Sequence, residues 1–336
     1  MRLPIDIRDI SHAGERAREE RERPVRIAIL IEPDAPEALV YAAREHIRPA
    51  TSAAKLQIEV VMPDSRVVLG DDLDAMVALI GSGSDSIRQA LASSRDAYVP
   101  TAALGLSDDQ DALARRLSHP VFDTLADVDP ERLVTRHLGE WLADRLSGKR
   151  LALAHNFAFM RRSTAEESVK ATAFQNAVIG VVAFIPGADL PIMTANQAKM
   201  LLQIAAAYGE PLGTERAKEL AAVVGGAFAM RAVARQLLGF VPGVGWAIKG
   251  GIAYAGTMAM GAAAISYFEH GADFSEVIHE ATAARDRAMA DARARLHRDE
   301  KRALAPAAVA SPAVPAAVPT TEGDSDQLGV VDGSDI

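Results

Sequence analysis

The chain has 336 residues, a formal net charge of −9, 49% hydrophobic but only 5% aromatic residues, and no cysteine. That length accommodates two domains, each with its own core. The acidic balance offers no broad positive face of the kind a duplex requires, so no nucleic-acid partner is expected, and the lack of cysteine excludes disulfides, thiolate metal sites and cysteine nucleophiles.

Residues 1–24, MRLPIDIRDISHAGERAREERERP, are rich in Arg and Glu and show almost no apolar periodicity. Such a stretch cannot bury enough surface to offset its ordering entropy, so it is expected to be a disordered arm or a frayed, solvated helix. It also lacks the apolar segment of about 7–15 residues that a secretory signal needs, and export is not expected.

From Val25 the pattern changes. Apolar runs rich in β-branched residues, VRIAILI at 25–31, QIEVVM at 57–62, AMVALIG at 75–81 and YVPTAAL at 98–104, read as strands buried on both faces. APEALVYAAREHIR, SDSIRQALASSRD, SDDQDALARRLS and DPERLVTRHLGEWLADRLSG carry apolar residues at three- and four-residue spacing, and most open on Ser or Asp caps. Alternation of the two patterns predicts a small parallel-sheet α/β domain over 25–150, of the Rossmann or GTPase-like type.

A helical module is expected over 151–303. Its first part, 151–170, reads as one connecting helix bearing Arg161, Arg162 and Lys170. Two uncharged stretches follow, 171–188 and 250–268, and both are candidate membrane segments, weakened by their Gly and Ala content and by Gln175, Asn176 and Pro186. Residues 273–303 read as a long polar helix, either a solvated coiled extension or a partner-binding one, and 304–336 as a disordered tail by composition.

The stretch 181–209 is echoed by 236–268. An apolar helix runs into FIPG at 184–187 and into FVPG at 240–243, and a second helix then leaves and ends near a Tyr. Proline removes a helix donor and glycine tolerates left-handed dihedrals, so Pro186, Gly187, Pro242, Gly243 and Gly245 are predicted turn residues of two helical hairpins, with Asp189 capping the helix after the first turn.

The order of these signatures, IPGADLP, Gln197, Met200 and Tyr208-Gly209, then FVPGVGW and YFEHG, resembles the YcjF-like domain of unknown function across about 171–271. The resemblance implies a helical, often membrane-associated module, found at the C-terminus of some GTPases, and it brings no catalytic residues. Nucleotide chemistry in the α/β domain is not expected either. The first strand is followed by EPDAPEALVYAAR, without the Gly and Lys of a phosphate-binding loop, and the strand at 98–104 by GLSDDQ, without a guanine-reading Asn-Lys-x-Asp. The α/β domain therefore reads as a degenerate, non-hydrolysing relative of GTPases, by analogy only.

The remaining candidate ligand site is IGSGSDSIRQAL. Gly81, Ser82, Gly83, Ser84 and Asp85 connect a strand to a helix N-terminus whose free N–H groups suit an anion, although Asp85 opposes one and no cation lies within the loop. An ordinary capped turn is the bland alternative. Glu276 and His279 have helix-face metal spacing without the second motif such sites need, so no metal is expected, nor any cofactor or enzymatic activity. Asp189, Lys199, Arg231, Arg235 and Lys249 interrupt the apolar half, either as functional groups at membrane depth or as residues facing water.

The leading expectation is a scaffold or regulatory protein on the inner membrane with both termini cytoplasmic, because Arg161, Arg162 and Lys170 precede the first apolar segment and Arg285, Arg287, Arg293, Arg295 and Arg298 follow the last. A soluble, cytoplasmic helical module that binds a protein partner or itself, and a small-anion or nucleotide sensor at 81–86, are the alternatives.

Overall fold

The computed structural model describes residues 15–70, 72–117, 123–182, 189–210 and 246–270, with four further positions between 283 and 290; for 182, 189–191, 246–249 and 252 only the backbone is described. Five parallel strands, β1 (Val25–Ile31), β2 (Ala54–Val60), β3 (Ala75–Leu79), β4 (Thr101–Leu106) and β5 (Asp123–Asp127), form one sheet in the order β2-β1-β3-β4-β5. The expected α/β fold class is what forms, with helices on both faces. This is the flavodoxin-like doubly wound order, in which the switch point lies between β1 and β3.

Strand alternation divides the apolar residues between two cores. Val25, Ile27 and Ile29 of β1, with Val77 and Leu79 of β3, meet α1 (Glu37–His46) and the helices beyond β5 on one face. Ala28 and Leu30, with Met76 and Ala78, meet α2 (Asp85–Asp96) and α3 (Gln110–Arg116) on the other. Burying both faces is why these runs read as continuous apolar segments.

The two edge strands depart from that reading. β2 begins three residues earlier than its apolar run suggests, and Ile58, Val60 and Met62 are more than half exposed. β5 has no apolar run at all. Its sequence is DTLAD, its burial is partial, and it is held by pairing with β4 from Ala102↔Asp123 to Leu106↔Asp127.

After β5 the turn Pro130–Arg132, capped by Asp129, passes into a π-helical stretch, Leu133–Leu138, and then into α4 (Gly139–Arg145). The single connecting helix expected at 151–170 is two helices, α5 (Arg150–Asn156) and α6 (Met160–Val182). The break is fixed by burial, because Phe157 and Met160 are fully buried in the first core together with Leu151, Leu153 and Ala154. The boundary drawn at residue 150 therefore falls inside a shared core.

The charged segment before β1 is also partly ordered. Residues 15–21 are helical, Ala17 is buried, Glu20 accepts from the Leu151 N–H at 3.2 Å, and Arg23 donates to the Gly148 carbonyl at 2.8 Å. Glu20, Arg21 and Arg23 bond to α5 and its surroundings, whereas Arg18 and Glu22 pair with each other at the surface.

α6, α7 (Asp189–Ala207) and α8 (Trp246–His270) pack around a third core that includes Val169, Met200, Ile204 and Ile265. α8 lies antiparallel on α6. A Cβ on Gly261 would lie 2.3 Å from a Val169 methyl, and one on Gly250 would lie 2.7 Å from a Val181 methyl, so small residues set the close approach of these helices. No helix among the described residues is long and apolar enough to cross a membrane. The described parts of both candidate segments pack on each other instead, and polar residues sit within that contact.

Candidate functional site

At the carboxyl ends of β1 and β3, where doubly wound folds take their ligands, the chain places two of its own carboxylates. Glu32 follows β1 directly and is only 1% exposed. Its Oε2 accepts from the N–H groups of Gly81 (2.8 Å) and Gly83 (2.9 Å), and its Oε1 from that of Ser84 (2.6 Å). Asp34 takes the fourth, from Ser82, at 3.0 Å. Ser84 caps α2, so the Glu32 carboxylate sits where an anion sits at a helix N-terminus.

The loop is built for this arrangement. A Cβ at Gly81 would come within 2.6 Å of the Asp34 backbone, and Gly83 has φ +78°, which favours glycine. Its carbonyls are bound from outside, Gly81 by Arg116 at 2.7 Å and Gly83 by Arg88, which also pairs with Asp85. Gly81, Ser82, Gly83, Ser84 and Asp85 do form the strand-to-helix cradle expected from their sequence, but its donors are engaged internally. Glu32 and Asp34 are the residues that sequence reasoning missed. An acid after a strand carries no signal of where its carboxylate will fold.

A second carboxylate centre lies at the end of β5. Asp127 accepts from Arg132 Nε at 2.5 Å, from His137 Nε2 at 2.9 Å and from the Asp129 N–H. The Arg132 guanidinium holds the Asp127 carboxyl well below the usual carboxylate range. His137 lies in the π-helical stretch, which turns it toward the strand end. No group of His, Asp and Glu with metal-binding geometry occurs among the described residues.

In the helical bundle, Asn176 is fully buried, donates to Thr257 at 3.0 Å and accepts from Asn196 at 3.1 Å, which ties α6, α8 and α7 together. α6 begins, and α7 ends with Ala206 and Ala207, against the α/β core. Their other ends project away from it. Phe174, about 20 Å along α6 from Met160 by helical rise, is 67% exposed, with Val178 and Ile192 also exposed.

Residues 152–294 match the model of a family described as Domain of unknown function (DUF697). This part of the chain is similar to DUF697 domains. No curated protein and no solved structure matches the chain. The DUF697 match begins inside α5, so the domain includes residues that complete the α/β core.

The geometry gives physical meaning to several of the residues that carry the sequence resemblance. Tyr208 stacks on Phe268 with ring centroids 5.3 Å apart and donates to Glu269 at 2.8 Å, and Glu269 also pairs with Arg162 at 2.6 Å. Burial, reinforced by Glu269, raises the Tyr208 hydroxyl well above its ordinary pKa. Gly209 has φ +85°, and its N–H and that of Glu210 return to Ala206 and Ala205, so Tyr-Gly is a helix stop welded to the end of α8. Met200 is fully buried in the bundle core.

The turn residues Pro186, Gly187, Pro242, Gly243 and Gly245 lie outside the described residues, as do Arg231, Arg235, Glu276 and His279. Asp189 is the first residue of α7, with its side chain not described; the same holds for the side chain of Lys249 in α8. Lys199 is exposed on α7.

Proposed function

We propose that the chain is a non-catalytic scaffold or regulatory protein whose DUF697 domain holds the degenerate, GTPase-like α/β domain at the cytoplasmic face of the inner membrane, lying on the bilayer without a spanning helix. The observation that carries this reading is the polarity of α6. Its charged residues, from Arg161 to Lys170, occupy the half next to the α/β core, whereas 171–182 is uncharged and exposes Phe174 and Val178, with Ile192 exposed near the start of α7. An amphipathic tip of this kind suits the boundary between headgroups and acyl chains. The Glu32 carboxylate in the switch-point cradle favours a non-catalytic α/β domain over a sensor that binds an anion at 81–86.

The test is vesicle flotation with phosphatidylethanolamine and phosphatidylglycerol. The wild-type chain is expected to float with the vesicles, and a Phe174→Ser, Val178→Ser variant to remain at the bottom with an unchanged circular dichroism spectrum. A wild-type chain that does not float refutes the membrane reading. If that chain also elutes as an oligomer that the same variant dissociates, the self-associating helical module takes its place.

A further inference from the structure

A cleft of about 150 Å³ opens where three distant parts of the chain meet: Glu20 before the sheet, Ser147 to Leu151 at the start of α5, and one side of α6 and α7. We propose that this cleft is a binding site for a small molecule bearing a phosphate or carboxylate group. The proposal does not rest on the membrane reading, since binding of a small anion is read on the free chain without vesicles.

The lining is polar and incompletely matched. Thr172, Gln175, Lys199 and Gln203 line the cleft, and their side chains have no hydrogen-bond partner among the described residues. Thr172 is nearly buried, so its hydroxyl faces the cleft rather than open water. The other walls are already fixed. Thr164 donates to the Arg150 carbonyl, the Glu20 carboxylate takes the Leu151 N–H, and Asn196 is oriented by its bond to Asn176. A rigid frame around unmatched donors is what a preorganised site requires.

Charge selects the ligand class. Two cations, Arg150 and Lys199, face one carboxylate, Glu20. Arg150 is partly compensated by Glu167 at 3.7 Å, whereas Lys199 has no ion pair among the described residues. An ammonium flanked by two side-chain amides and a hydroxyl offers an oxyanion charge-assisted hydrogen bonds from several sides. A cavity near 150 Å³ holds on the order of six non-hydrogen atoms, with room at the open side for more. A phosphate ester or small carboxylate fits that size, and a nucleotide does not.

The experiment titrates the full chain with inorganic phosphate, glycerol 3-phosphate and succinate, following amide chemical shifts and melting temperature. Saturable binding of at least one probe at millimolar concentrations is expected, with shifts at Thr172, Lys199 and Gln203. Lys199→Met is expected to weaken it about tenfold or more, and Lys199→Arg to retain it. Lys199 is exposed, so neither variant threatens folding. Absence of saturable binding by all three probes, or binding unchanged in Lys199→Met, overturns the proposal. Competition separates the sources of the anion. If glycerol 3-phosphate displaces the wild-type chain from phosphatidylglycerol vesicles but not Lys199→Met, the ligand is a lipid headgroup; Lys199-dependent binding without displacement indicates a free metabolite.

Discussion

Replacing Glu32 by Ala removes the acceptor of three backbone N–H groups at once. The donor at Gly83 is buried, and those of Gly81 and Ser84 are partly buried. An unsatisfied buried donor costs about 1–3 kcal/mol, and the two donors that water can reach cost roughly 1 kcal/mol each. Relief from burying a carboxylate offsets part of that sum. A net loss of about 2–4 kcal/mol follows, a large fraction of the 5–15 kcal/mol typical of a domain. In urea, with a slope of about 1–3 kcal/mol per M, the midpoint should fall by roughly 1–2 M. Amide exchange at Gly81, Gly83 and Ser84 should accelerate, and sulfate should restore more stability to Glu32→Ala than it adds to the wild type, because the emptied cradle is an anion site. A loss under about 1 kcal/mol, with those amides still protected, would refute the view that Glu32 stands in for a ligand.

Three further outcomes test the rest of the architecture. Gly261→Ala should destabilise by about 2–3 kcal/mol, since the new Cβ meets the stiff, buried Val169, and adding Val169→Ala should recover much of that loss in a double-mutant cycle of urea midpoints. Asn176→Leu should cost about 2 kcal/mol by stripping Asn196 of its acceptor, and the melting temperature reads this directly. Burial, with Arg21 and Arg161 nearby, lowers the His155 pKa below its ordinary value of 6.5, and the neutral ring accepts from Arg21 through Nδ1 at 3.2 Å. The native state therefore binds fewer protons than the unfolded one, so this stability is present above about pH 6.5 and is lost as pH falls through the lowered value. Exchange of the Leu151 amide, whose partner Glu20 lies on the same docked segment, should quicken below that pH in the wild type but not in His155→Gln.

The sequence by itself determined the elements that local chemistry governs. β1, β3 and β4 are buried on both faces over most of their length, so apolar residues follow one another there without alternation, and the run alone announces them. α1, α2 and α3 carry their spacing, and α2 and α3 their caps, within a dozen residues. The Tyr208-Gly209 stop and the helical character of 171–182 and 250–268 are equally local. The tertiary structure decided what depends on distant partners. β5 is a strand because β4 offers it an edge, and 151–170 breaks at Phe157 because the α/β core buries that ring. The uncharged stretches that resembled membrane segments face each other through Gly250 and through the Asn176–Thr257 bond, since apolarity records burial but not what does the burying. Gly81 to Asp85 were visible as a possible anion cradle. That Glu32, 49 residues before Gly81, fills it could come only from the pairing of β1 with β3.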